Sequence, residues 1–268
     1  MNSPPVPPLP ALQAEGLSKH FGGVAAVTSF SITLRKGEIV GLIGPNGAGK
    51  TTVFNLLTGV YRPDAGWARI AGRDIAGLTP DRIAALGVSR TFQNIRLFKL
   101  LSALDNVKVG FQPRLAESLS DALFRTAAFR REEERIEAEA LELLDLLELS
   151  PWRDALAGSL PYGPERRLEI ARALAARPKV LLLDEPAAGA NDSESAALRR
   201  LLLSIRERFE LSMLVIEHDM PFVMGLARRL VVLDGGETIA EGTPEEVRGN
   251  PKVIEAYLGE VSLREDGA

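Results

Sequence analysis

The chain has 268 residues, 46% hydrophobic and 25% charged, with Lys+Arg 32 against Asp+Glu 36 and a formal net charge of -4. That balance suits a globular protein with a sizeable core and excludes global disorder. Zero cysteines exclude a disulfide framework, a thiolate metal site and a cysteine nucleophile, two histidines are too few for a histidine-rich metal centre, and the slightly acidic charge argues against nucleic acid as a partner.

In chain order, Pro4, Pro5, Pro7, Pro8 and Pro10 favour polyproline II and forbid helix, so residues 1–11 read as a disordered, Pro-rich leader. An SH3-type ligand is the alternative reading. The leader lacks the basic and apolar segments of a secretion signal, and no run approaches the ~20 apolar residues that span a bilayer. Residues 12–27 and 30–34 carry short, partly alternating apolar runs separated by Gly16, Gly22 and Gly23, which predicts a small antiparallel β layer. After a turn at Arg35-Lys36-Gly37, the sequence IVGLI at 39–43 predicts a buried strand that runs into GPNGAGKTT and a helix-compatible VFNLLTGV.

Between 97 and 159 the pattern becomes helical, most clearly over 131–149. There Ile136, Ala140, Leu143, Leu144 and Leu147 recur at helical spacing, while Glu132, Glu133, Glu134, Glu137 and Glu139 take other faces as a solvated surface. This predicts a helical subdomain, about 97–175, inserted in an α/β core. Helices over 165–176 and 193–209 alternate with strands over 179–183 and 212–216, which implies a parallel sheet covered on both faces. Asp234-Gly235-Gly236 predicts a hairpin between 230–233 and 237–240. Thr243, Pro244 and Glu246 supply a cap, a first-turn proline and a capping-box partner for a final helix. Residues 259–268 read as a polar tail.

Two segments carry chemistry. In Gly44-Pro45-Asn46-Gly47-Ala48-Gly49-Lys50-Thr51-Thr52, small residues allow consecutive backbone N–H groups to wrap phosphates, Lys50 reaches the β and γ phosphates, and Thr51 holds Mg²⁺. The helix that follows adds its positive end. The apolar run ending in Asp184-Glu185 delivers two carboxylates to the edge of a sheet where ligands bind. Asp184 suits Mg²⁺, and Glu185 can polarise a water that attacks the γ phosphate. The plainer alternatives are a glycine-rich turn and two solvated acids at a strand end.

With these residues the chain resembles the ATP-binding-cassette (ABC) ATPases, from about residue 12 to 258. The resemblance implies one P-loop NTPase domain with a RecA-like parallel-sheet core, an N-terminal antiparallel β subdomain and an inserted helical subdomain. It implies that Phe21 stacks on adenine and that Gln93, in SRTFQNIRLF, links Mg²⁺ and the attacking water to the transporter-facing surface. It implies that His218, in VIEHDM, contacts the γ phosphate and that AAGAND at 187–192 crosses between two subunits. Phe21 as an edge aromatic, Gln93 as a backbone partner and His218 as a structural histidine are the respective alternatives. LPYGPERRLEIARAL occupies the family's signature region, which caps a nucleotide on the partner subunit; Tyr162 and Gly163 are its candidate contacts. Pro161 and Pro164 depart from the usual LSGGQ, removing a hydroxyl, an amide side chain and a backbone donor.

Within that superfamily, GVSRTFQNIRLF, YGPERRLEIARALA, LLLDEPAAGAN and GTPEEVRGNPKVIEAYLGE are most similar to the ATPase subunits of branched-chain amino acid importers. That implies ATP and Mg²⁺ as ligands and a second ATPase subunit, identical or not. It also implies two transmembrane permease subunits, a periplasmic or extracellular substrate-binding protein, and a peripheral place on the cytoplasmic face of the membrane. A urea or amide importer, a lipopolysaccharide exporter and a soluble, non-transport ABC ATPase are the alternatives.

Overall fold

The computed structural model of the chain describes residues 9–111 and 127–257. Most of the expected leader, residues 1–8, lies outside the described residues, as do residues 112–126 of the expected helical subdomain and the expected tail at 259–268.

β1 (Leu12–Phe21) and β2 (Val24–Leu34) form a hairpin on Gly22-Gly23, with Gly22 at φ 57. With β4 (Ala65–Ile70) and β5 (Arg73–Asp74) they make an antiparallel sheet of order β2-β1-β4-β5. The sequence places a break at Gly16, but the strand continues through it. Gly16 adopts φ 64 where the register shifts between Ala14 and Leu17, so its conformational freedom makes a bulge in β1.

The second sheet contains β3 (Ile39–Ile43), β6 (Val88–Arg90), β7 (Val180–Asp184), β8 (Ser212–Ile216), β9 (Arg229–Asp234) and β10 (Glu237–Gly242), in the order β10-β9-β3-β8-β7-β6. Only β10 runs antiparallel to its neighbour. Every residue of β3, β7 and β8 is buried, because both faces of the sheet are covered. On one face Val40, Leu42, Leu182 and Leu214 pack with Leu12, Phe30 and Phe54 of the antiparallel layer and α1 (Lys50–Leu57). On the other, Ile43, Leu183 and Val215 join the apolar sides of further helices.

Those helices include α3 (Ala103–Val109), α4 (Ala127–Leu146), α5 (Tyr162–Ala175) and α6 (Asp192–Phe209); α2 (Pro80–Ala85) lies earlier in the chain. Ile136, Ala140, Leu143, Leu144 and Leu147 are buried as their spacing predicts, and Arg135 pairs with Glu132 and Glu139 on the outer side of α4. α4 stops at Leu146 rather than 149, and Glu148 takes the left-handed φ 57 that turns the chain. α5 begins three residues before the predicted start. Pro161 is its N-cap, and Pro164 falls in the first turn, where a missing N–H breaks no intrahelical bond. α7 (Met220–Leu226) follows β8, and α8 (Pro244–Arg248) carries the predicted Thr243/Glu246 capping box. β4, β5, α2 and β6 lie in a stretch, 61–90, whose short runs the sequence reading leaves unassigned.

Candidate nucleotide site

The loop from Gly44 to Gly49 joins β3 to α1 at the carboxyl edge of the parallel sheet. Gly44 (φ 149) and Gly49 (φ 101) admit no side chain: a Cβ would collide with the carbonyl oxygen of Leu233 at the first and of Ala26 at the second. The curve holds the Lys50 ammonium in its interior, where Nζ donates to the carbonyls of Gly44 (2.7 Å) and Pro45 (2.8 Å). Asn46, Gly47 and Thr51 are exposed, whereas Pro45 and Ala48 are buried; Gly49 and Thr52 are intermediate. α1 has no side-chain cap and no acidic residue in its first turn, so no side chain of its own first turn offsets its positive end.

β7 carries Asp184 to the same edge. Its carboxylate is buried, and Arg90 Nη2 on the neighbouring β6 donates to Oδ2 at 2.7 Å. Glu185 follows at φ 49, with its N–H held by Ile216 O at 2.9 Å. Gln93 Nε2 donates to Glu185 Oε2 at 3.0 Å, and His218 Nδ1 lies 3.8 Å from Oε1. Three of the four predicted catalytic residues therefore meet around one carboxylate, although they come from segments more than 90 and 30 positions apart. Gln93's amide oxygen remains as a ligand atom when its Nε2 serves Glu185. Thr51 hydroxyl, Asp184 carboxylate and Gln93 amide are all hard oxygen donors that fit Mg²⁺. Among the described residues no group of three or more His, Cys, Asp or Glu could hold a metal by itself.

Phe21 ends β1 half-exposed, with Tyr61 edge-on at 5.0 Å between ring centroids. Tyr162 and Gly163 stand at the start of α5: the Tyr162 hydroxyl donates to Ala188 O on the loop after β7, and the ring faces Gly189.

Sequence reasoning missed several partners. Arg90 neutralises Asp184, donates to Asn55 Oδ1 at 2.6 Å, and lies over the rings of Phe54 and Phe92. A basic residue three before Gln93 was its only signal. Glu217, fully buried beside His218, accepts the N–H groups of Ala187 (2.8 Å), His218 (3.2 Å) and Asp219 (3.4 Å). Burial pushes its carboxyl pKa up, and these backbone bonds oppose that shift. Asp64 holds the end of β1, accepting from Lys19 Nζ and His20 N at 2.7 Å each.

A profile described as "ABC transporter" matches residues 27–188. The chain belongs to the ABC transporter family. A second profile, the branched-chain amino acid ATP-binding cassette transporter, matches residues 237–262. The cassette is 46% identical to the high-affinity branched-chain amino acid transport ATP-binding protein BraF of Pseudomonas aeruginosa, over 94% of this chain and 98% of the relative. It is 44% identical to the protein LivG of the same description from Escherichia coli, with the same coverage. Among solved structures, the ADP conformation of MJ1267, an ATP-binding cassette of an ABC transporter, superimposes with a TM-score of 0.81 at 34% identity, covering 94% of this chain and 99% of that one. The fold class expected from the sequence is thus the observed one, and the chain is an ATP-binding subunit of the ABC ATPase class.

Proposed function

We propose that this ATPase powers uptake of branched-chain or other hydrophobic amino acids, working with Mg²⁺ on the cytoplasmic face of a membrane. No helix of the described residues is long and apolar enough to cross a membrane, so two permease subunits would form the path and a separate binding protein would deliver the cargo. A second ATPase subunit completes each nucleotide site. In this reading residues 12–258 act as one ATPase domain, within which 97–175 form the helical subdomain.

The observation that carries the mechanism is the Gln93–Glu185–His218 cluster at the sheet edge that also bears Lys50. Phe21, flanked by Tyr61, stacks on adenine. Lys50 and the uncapped N–H groups of α1 bind the β and γ phosphates. Mg²⁺, held by Thr51, Asp184 and Gln93, would supply charge neutralisation at the phosphates. Glu185 accepts a proton from the attacking water as that water's oxygen bonds to the γ phosphorus and the bond to the β–γ bridging oxygen breaks. Gln93 fixes the orientation of that carboxylate, and His218 senses the γ phosphate. Tyr162 and Gly163 contact the nucleotide of the opposite subunit, so ATP joins the two subunits and its hydrolysis releases them. An apolar cleft of about 420 Å³, lined among others by Val60, Ile83, Phe92, Phe98 and Val109, supports permease docking next to the Gln93 segment.

Glu185→Gln should lower kcat by about 10²- to 10⁴-fold while ATP still binds. Tagged Glu185→Gln protein, loaded with ATP in gently solubilised native membranes, should capture two polytopic proteins and an ATPase. Capture of soluble ribosomal or repair proteins instead would overturn the transport role and leave the ATPase.

A further inference from the structure

Arg166 and Glu169 lie one turn apart on α5, only 3% and 1% exposed, with Nη1 and Oε2 3.1 Å apart. Burying such a pair is costly unless the remaining polar atoms are bonded, and here most are bonded to backbone outside the helix. Glu169 Oε1 accepts the N–H groups of Phe92 (3.2 Å) and Arg96 (3.4 Å). Arg166 Nη1 donates to Phe92 O at 2.9 Å. Its Nη2 reaches Gln93 O at 3.3 Å, Glu185 O at 3.2 Å and the Tyr162 hydroxyl at 3.2 Å. Arg166 thus holds the backbone of both residues that meet at the candidate hydrolytic carboxylate, while Glu169 holds the backbone on either side of Gln93, at Phe92 and Arg96. Tyr162, whose hydroxyl also donates to Ala188, adds the loop after β7 to the same cluster.

The arrangement is not the one that stability alone would select. Arg166 Nε is buried without a hydrogen-bond partner, and an apolar pair of similar volume avoids that penalty. What the pair adds is geometry: a rigid, planar guanidinium can bridge the carbonyls of two separate strand exits, which a lysine's single ammonium cannot reproduce. We infer that Arg166 and Glu169 are positioning residues that fix the Gln93–Glu185 contact to the first turns of α5, so that displacement of the signature segment is transmitted to the hydrolytic carboxylate of the same chain. Because the signature segment serves the opposite subunit's nucleotide, the pair couples the two nucleotide sites through one subunit. This rests on the assignment of Gln93 and Glu185 proposed above.

The test is a double-mutant cycle on the full chain, with kcat, affinity for a fluorescent ATP analogue and thermal unfolding measured for each variant. Glu169→Gln, close to isosteric, should lower kcat about tenfold while nucleotide affinity stays within about twofold. Added to Gln93→Ala it should cause little further loss, because Glu169 acts through Gln93. Arg166→Lys should lower kcat further than Glu169→Gln, since it also releases Glu185. If Arg166→Lys does not fold, Tyr162→Phe, which removes one exposed hydroxyl from the cluster, should show a smaller kcat loss. Losses that multiply independently, or that fall on affinity or stability with kcat intact, would overturn the positioning role. Glu185→Gln separates the two levels: if it abolishes turnover while the cycle is multiplicative, only the positioning role is lost. If it leaves turnover intact, the catalytic assignment fails and the positioning role goes with it.

Discussion

Two helix N-termini in this chain are finished in opposite ways. α8 is closed by its own side chains: Thr243 Oγ1 accepts the Glu246 N–H at 3.3 Å, Glu246 Oε2 accepts the Thr243 N–H at 2.8 Å, and Glu245 adds a second acid to the first turn. α1 has none of this. Its N-cap is Gly49, with neither a capping side chain nor an acid in its first turn, and the Lys50 ammonium is folded into the loop that precedes it. Where a helix only has to begin, the chain satisfies its amides internally. At the proposed nucleotide site the first turn carries neither a capping side chain nor an acid, as a helix end that receives phosphate would.

The widest separation between the two ends comes from Lys50→Ala. Removing an ammonium held within the P-loop should weaken ATP binding by about 100-fold. Stability should fall as well, by about 1–3 kcal/mol, because the Gly44 and Pro45 carbonyls it leaves are buried. Equilibrium nucleotide titration beside a thermal melt checks both halves, and unchanged affinity would refute the phosphate role. Gly49→Ala acts through the backbone instead. It places a methyl against Ala26 O and forces a left-handed φ of 101 on alanine, so both nucleotide affinity and stability should fall, the latter by about 3 kcal/mol. A soluble variant with wild-type melting would show that the loop relaxes at little cost. Thr243→Ala, at the closed end, should reduce stability by about 1 kcal/mol and leave ATP affinity alone. An affinity change there would mean that the two helix ends are not independent.

The legibility of this molecule follows the same division between local and long-range causes. The P-loop, the Asp184-Glu185 strand end and the Thr243 capping box are each encoded in a few consecutive residues, so sequence spacing locates them directly. Glu185's neighbours Gln93 and His218 needed family resemblance, because no local rule brings residue 93 to residue 185. The Arg90–Asp184 pair needed the β6–β7 register, and the Glu217 acceptor needed the fold of the loop after β7. Those contacts join segments distant in sequence. Gly16 shows the converse: a glycine read as an interruption was absorbed by one strand as a bulge, because its pairing on both sides with β2 and β4 outweighed the local signal.

The smallest predicted effect concerns the proposed adenine end of the site, where a loop carboxylate fixes the strand that carries Phe21. Hydrogen bonding from Lys19, followed by the His20 backbone N–H, lowers the Asp64 pKa from 3.8 to about 2. A depressed acid stabilises the fold above its unfolded pKa and loses that contribution as pH falls through its folded value. Asp64→Asn should therefore be less stable than the parent above about pH 4, and the difference should close between about pH 4 and 2 as the parent's carboxylate becomes protonated. The exposed position and the Lys19 screening by solvent keep the difference small. Acid unfolding followed by circular dichroism gives the two curves. A separation that stays constant down to pH 2 would place the effect in lost packing rather than charge. Because His20 adjoins Phe21, the same substitution should slightly weaken ATP binding at neutral pH. An equal weakening of inorganic triphosphate would show that the anchor acts on the phosphate loop, since triphosphate lacks the adenine that Phe21 is proposed to hold.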